Sequence, residues 1–287
     1  MTRLSIFYSS VRWHHLLSII KSFKEDYNKS SKLYVQIFFN SDQGQNLRLQ
    51  IGATSNKNVP VEKILEQIKS YIAANKVVDS YGTVRPTGLF MNFPSNEVYK
   101  DLFSPYSPFG YHLHKYDIHP LRNEISNLII AYFTDEEINT QSVLTFTLNL
   151  HSLSLKHFFE NTQSARTEVA KYIYKASSWF STSSIQSIDA LVEKIYAQNS
   201  REIDQIMESS FTETLHGNDD FHWFEDLASL FVAMKQKHQD NLSIFYQFND
   251  ILNQHLNYNN KHFILCSLKI INKSINKNQK LNLYEKT

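Results

Sequence analysis

From Leu33 to Phe39 apolar and polar positions alternate, with Leu33, Val35, Ile37 and Phe39 on one face. This is the period-two pattern of a half-buried strand. Asn40 to Gln45 interrupts it with turn chemistry, and Gly44 is free to take a positive φ. The alternation resumes at Leu47, Leu49 and Ile51, which leaves Asn46, Arg48 and Gln50 together on the opposite face. The segment predicts a β-hairpin with one apolar face and Arg48 presented on the other. An arginine on a rigid strand between two amide side chains suits a carboxylate or a peptide backbone. A single arginine is also what an ordinary solvated strand face carries, because charged side chains are mostly exposed.

Helical spacing dominates elsewhere. Leu16, Leu17, Ile20 and Phe23 place an amphipathic helix over Trp13–Phe23. Pro60 in a first turn, followed by Val61, Ile64, Leu65, Ile68 and Ile72, predicts a helix over Asn58–Ala74. Residues 79–120 read as irregular and aromatic, with short strands near Thr83–Asn92 and Tyr111–Tyr116. Leu121–Phe133 is helical by spacing. Val143–Leu150 stays open between strand and helix, since Val143, Thr145 and Thr147 favour a strand. Four further helices are predicted over Glu168–Phe180, Ser184–Met207, Phe221–His238 and Leu242–Asn276, the last broken near Asn257–Asn260. Their apolar stripes, such as Ile185, Ile188, Leu191, Val192 and Ile195, are core-packing faces. The Ser-rich stretch Ser177–Ser187 and the segment Leu215–Asp220 read as inter-helix loops.

Breakers divide the chain the same way. All six prolines lie between Pro60 and Pro120, and of the six glycines only Gly217 follows Gly110. The expectation is an α+β protein, an antiparallel sheet with packed helices in the N-terminal half and a mostly helical C-terminal half. It reads as a single domain over 1–287, with the sheet-containing half at about 1–150 and the helical half at about 151–287.

Composition narrows the function. The 42% hydrophobic and 14% aromatic content belongs to a folded globule. A net charge of +1 argues against a direct nucleic-acid binder, whose phosphate contacts need a basic surplus. One cysteine, Cys266, excludes an intramolecular disulfide and fits a reducing compartment. No apolar run reaches the length of about 18 residues expected of a membrane-spanning helix, and the N-terminus has no signal-peptide pattern. The expected location is cytoplasmic. The chain has no GxGxxG, GxxxxGK[ST] or GxSxG motif, so no cofactor is expected. His112, His114 and His119, with Asp117 nearby, form the best metal candidate by spacing. Partly exposed or hydrogen-bonded histidines are the commoner reading, and no metal is expected. Lys269, Lys273, Lys277 and Lys280 recur at helical steps and form one basic stripe. It is either a solvated face or a docking face for an acidic peptide.

Three segments in order resemble the thiopeptide-type bacteriocin biosynthesis and lantibiotic dehydratase glutamate-elimination domains. Asn46, Leu47, Arg48, Leu49 and Gln50 are similar to that family's His-Leu-Arg-Leu-Arg strand, with only the first Arg kept. Tyr116, Asp117, Ile118, His119 and Arg122 are similar to its Tyr-Glu-Pro-Glu-x-x-Arg-Tyr-Gly segment, with Asn123 and Glu124 replacing the Tyr-Gly. The stretch HFILCSLKIINKS resembles its closing helix, Asn272 and Lys273 matching Asn-Arg and Leu268 standing at the His position.

The resemblance implies a stand-alone tailoring protein for a ribosomal peptide natural product, acting on a precursor peptide. The implied chemistry is lyase-like. It is either glutamate elimination from modified Ser or Thr, or a four-plus-two cycloaddition of two dehydroalanines that expels the leader peptide. Arg48 and Arg122 are the implied catalytic cations. Asn46, Gln50, Tyr116, Lys269 and Lys273 are the implied substrate-binding residues. The unmatched His and second Arg weigh against ordinary elimination, which needs a base and several cations. They are more tolerable for a cycloaddition governed by positioning. They are equally tolerable for the alternative, a non-catalytic peptide-binding partner of a larger dehydratase subunit. A homodimer stays open, and no membrane partner is expected.

Overall fold

The computed structural model describes residues 2–28, 33–41, 44–53, 59–78, 93–101, 119–211, 224–238, 240–257 and 262–284. Two compact units divide the chain. One is Met1–Ser142 with Gln254–Asn260, the other Val143–Asn253 with Lys261–Thr287.

The first unit contains β1 (Thr2–Phe7), α1 (Trp13–Asn28), β2 (Leu33–Asn40), β3 (Asn46–Ala53), α2 (Val61–Ala74), β4 (Glu97–Lys100) and α3 (His119–Phe133). The four strands pair antiparallel in the order β2-β3-β1-β4. A β-α-β-β-α-β succession with this order is the split βαβ, or ferredoxin-like, arrangement. The hairpin forms as its alternation requires, and Gly44 takes φ 106° in its turn. Leu33 faces Ala53, Ile37 faces Leu49 and Phe39 faces Leu47.

β1 lies outside the elements expected from the sequence, although Leu4, Ile6 and Tyr8 alternate legibly. Leu4 pairs with Leu49 and Ile6 with Leu47, which extends the apolar face across three strands. Trp13 of α1 seats 5.3 Å from Phe39, and Phe133 of α3 meets the same ring edge-on at 5.5 Å. The strands expected near Thr83–Asn92 and Tyr111–Tyr116 lie outside the described residues, as does the Leu215–Asp220 loop.

The second unit is helical. It takes most of α4 (Thr140–Phe158), then α5 (Thr162–Ser177), α6 (Thr182–Phe211), α7 (Glu225–His238), α8 (Asn241–His255) as far as Asn253, and α9 (Phe263–Tyr284). α4 settles the open Val143–Leu150 segment as helix. Val143, Phe146, Leu150, Leu155 and Phe158 recur at helical spacing and are all buried, and that burial overrides the strand preference of its β-branched residues. Thr147 returns its hydroxyl to Val143 O at 2.7 Å. Phe231 stands at the centre of an aromatic core, 4.7 Å from Phe158 and 5.1 Å from Phe248. α6 kinks at Asn199, where φ is −131° and ψ 25°. No helix among the described residues is long and apolar enough to cross a membrane.

Candidate functional site

The second face of the sheet carries the candidate chemistry. Asn46, Arg48 and Gln50 share it, as the alternation requires, but it is not the solvated face a lone strand arginine suggests. Arg48 is 6% exposed, and Asn46 and Gln50 are fully buried. Register places Ser5 and Phe38 on either side of Arg48, Gln36 opposite Gln50, and Asn40 opposite Asn46. Arg48 Nε donates to Asn46 Oδ1 at 2.9 Å, and Asn46 Nδ2 donates to Gly44 O at 2.8 Å. The hairpin turn thereby orients the residue that orients the arginine.

Two other elements complete this cluster. Arg122, in the first turns of α3, is also 6% exposed and donates Nη2 to Gln254 Oε1 at 2.7 Å. Beside it Asn123 Oδ1 accepts from Gln36 Nε2 at 2.9 Å. Gln254 and His255 are the last two residues of α8, and the His255 ring stacks on Phe38 with centroids 4.4 Å apart. A continuous path therefore runs from Arg122 through Gln254 and His255 to Phe38, the cross-strand neighbour of Arg48.

His255 is the residue that sequence reasoning missed. Its Nδ1 lies 2.6 Å from Ile37 O, so that nitrogen carries the proton and donates. Nε2 is then a bare lone pair, with no partner among the described residues. Burial pulls the imidazole pKa down to about 3, the Arg122 charge adds to the fall, and the bond to Ile37 O opposes it. The ring is therefore neutral at ordinary pH. A neutral imidazole beside the Arg122 cation, in a water-poor setting, can accept a hydrogen bond and offset a carboxylate or developing negative charge. No spacing rule marks His255. The only hint is a polar residue at the end of a helix just before an Asn-rich break.

Other site candidates fall elsewhere. Tyr116, His112, His114 and Asp117 lie outside the described residues. His119 is exposed. No group of His, Cys, Asp and Glu able to hold a metal occurs among the described residues. Leu268, at the family's His position, is fully buried in the second unit.

The lysine row belongs to that second unit and is not an unpaired basic stripe. Lys269 pairs with Asp189 and Lys273 with Glu193, while Lys277 reaches Asp204 at 2.8 Å. α6 sets its carboxylates along the same line, so the charges of Lys269, Lys273 and Lys277 are locally offset. Asp204 also accepts from Tyr196 at 2.9 Å and Ser274 at 2.5 Å. Burial pushes its pKa up, but Lys277, Ser274 and Tyr196 together outweigh that and hold the carboxyl below its ordinary value. Burial, aided by the Asp204 bond, pushes Tyr196 up to about 12. Lys269, Lys273, Lys277 and Tyr196 line a cleft of about 630 Å³ between α6 and α9.

The second unit also buries a Ser-His-Asn set. His151 Nδ1 lies 2.7 Å from Ser267 Oγ and Nε2 2.8 Å from Asn249 Oδ1. Asn249 Nδ2 donates to Phe245 O, so its Oδ1 is the acceptor and His151 is protonated on Nε2. All three are fully buried and satisfied, which makes this a structural polar core joining α4, α8 and α9.

No family model matches the chain, and no curated protein matches its sequence. Among solved structures the fold is similar to that of TbtD, a pyridine synthase from thiomuracin biosynthesis, with a TM-score of 0.55 and 12% identity. The likeness covers 95% of this chain and 96% of that one. At that identity it establishes the fold: this α+β architecture is one that a pyridine synthase from thiomuracin biosynthesis shares over nearly its whole length.

Proposed function

We propose that this protein is a tailoring protein in the biosynthesis of a ribosomally made, thiopeptide-like natural product, with a precursor peptide as its substrate. The observation that carries the reading is the likeness to TbtD, which spans nearly the whole of both chains. Two features of the first unit support it. Arg48 and Arg122, the residues implied by the family resemblance, are both buried, and the Arg122 charge acts on the neutral His255 imidazole. The cluster holds cations and amides but no carboxylate among its described members. This suits gripping a peptide and polarising its carbonyls more than an acid-base relay. Positioning of two dehydroalanines for cycloaddition is therefore favoured over glutamate elimination. The second reading, a non-catalytic partner subunit of a larger dehydratase, draws on a specific observation: both arginines are covered and held by amide side chains.

The test is to incubate the purified chain with its precursor peptide, in dehydrated and in glutamylated form, and follow mass. Loss of the leader marks cyclisation, and loss of glutamate marks elimination. Arg48→Ala, checked by circular dichroism for retained fold, should lower kcat/KM about tenfold to a hundredfold, the equivalent of about 1.5–3 kcal/mol for a charge-assisted contact. Binding without any mass change selects the partner-subunit reading. Neither binding nor conversion removes both.

A further inference from the structure

Three buried side chains, two on the polar sheet face and one on α8 against it, end in atoms without hydrogen-bond partners among the described residues. These are Gln36 Oε1, both amide atoms of Gln50, and His255 Nε2. The residues that carry them are fully buried. Gln36 and Gln50 are register partners, and His255 stacks on Phe38, two positions along β2 from Gln36. Interiors leave few polar groups unpaired, because each has given up its bonds to water. A leucine at position 50 would fill similar space without that cost. Stability therefore does not account for the Gln50 carboxamide, and departures of this kind concentrate where a protein binds or reacts.

The unmade bonds have a definite inventory. Gln50 offers two N–H donors and a carbonyl acceptor, Gln36 a carbonyl acceptor, and His255 Nε2 one acceptor because Nδ1 holds the proton. One peptide group supplies an N–H and a C=O, the complement of the Gln50 carboxamide. A second N–H or a side-chain hydroxyl would meet His255. We infer that Gln50 and His255 form a subsite for the backbone amide of a peptide substrate. The inference rests on the tailoring reading above and gives that site its recognition chemistry. Occupation requires the face to open. Exposing these groups would cost less than exposing satisfied ones, since each would regain a partner.

The experiment measures Tm, and Kd for a fluorescently labelled, dehydrated precursor peptide. Gln50→Leu should raise Tm, because it removes unsatisfied atoms, and should raise Kd about tenfold or more, the weight of one or two lost hydrogen bonds. His255→Asn keeps an N–H for Ile37 O but lacks the Nε2 acceptor. It should fold and also weaken binding about tenfold. If both variants bind like wild type, ordered water fills these bonds, the subsite is overturned and the tailoring reading stands. A fall in Tm for Gln50→Leu means its amide has partners in the free protein, which also overturns the subsite. If the wild type binds no precursor peptide, the tailoring reading falls and the subsite with it.

Discussion

His151 and His255 are both fully buried and both held neutral, with pKa values pulled down to about 3 chiefly by burial. Their surroundings differ. His151 spends both ring nitrogens on side-chain partners, whereas His255 spends only Nδ1. The first is a finished piece of core and the second leaves a lone pair unused. Both have the same consequence for acid stability. In the unfolded chain each titrates near the ordinary histidine value, about 6.5. A depressed folded pKa contributes stability that is whole above about pH 6.5 and is lost as pH falls toward 3. Urea unfolding should therefore lose about 1 kcal/mol per pH unit for each histidine between pH 6.5 and 5, steepening toward about 1.4 at the lower end, above the range of most carboxylates. His255→Asn should remove about half of that slope. A flat stability profile over this window contradicts the neutral, buried assignment of both rings.

At the scale of elements, the outer edge of β2 is the point where separate segments lock together. Ile37 N–H donates to Ser126 Oγ of α3 at 3.0 Å, while Ile37 O accepts from His255. Leu256 forms a parallel bridge with Phe39 beside them. An open strand edge is a template for unwanted pairing, and here a hydroxyl, an imidazole and a short backbone bridge close it. Ser126 also returns its own proton to Arg122 O at 2.9 Å, which couples the edge to the helix that positions the arginine. Ser126→Ala strands a buried backbone N–H. It should cost about 1–3 kcal/mol in denaturant unfolding. A loss under about 0.5 kcal/mol, the usual scale of surface changes, would show that the edge is held by something else.

For the whole molecule, charge is nearly balanced at +1, and the lysine row is met by α6 carboxylates. Recognition through buried amides and recognition through a basic stripe differ in how they respond to salt. Exposed charges are screened within about 8–10 Å at physiological ionic strength, so docking of an acidic leader on free lysines would weaken steeply with added salt. Precursor affinity should instead change less than about threefold between 50 and 500 mM salt, and Lys273→Glu should alter it little. A steep salt dependence that Lys273→Glu abolishes would move the binding site to the α6–α9 cleft. The likeness to TbtD bears on architecture, and one architecture serves many chemistries. The function therefore has to be read from the site and not from the fold.

Local pattern determined much of this protein. Alternation alone was enough for β2, β3 and the face each residue takes. Helical spacing was enough for α1, for α2 with its entry proline, for α3, and for the helical C-terminal half broken before α9. These features depend on near neighbours, whose periods of 2.0 and 3.6 are written in the order of residues. The strand order was not legible, nor was β1 as a central strand, because pairing joins residues about 45 positions apart and sequence order carries no signal for it. The kink at Asn199 was equally hidden, since no proline or glycine marks it. The candidate site divides along the same line. That Asn46, Arg48 and Gln50 share a face follows from the strand itself. Their burial, the pairing of Lys269, Lys273 and Lys277 with carboxylates, and the arrival of Gln254 and His255 beside Arg122 depend on distant segments meeting. Tertiary structure alone decides those matters, because burial and hydrogen-bond partnership belong to pairs of surfaces and not to any one stretch of chain.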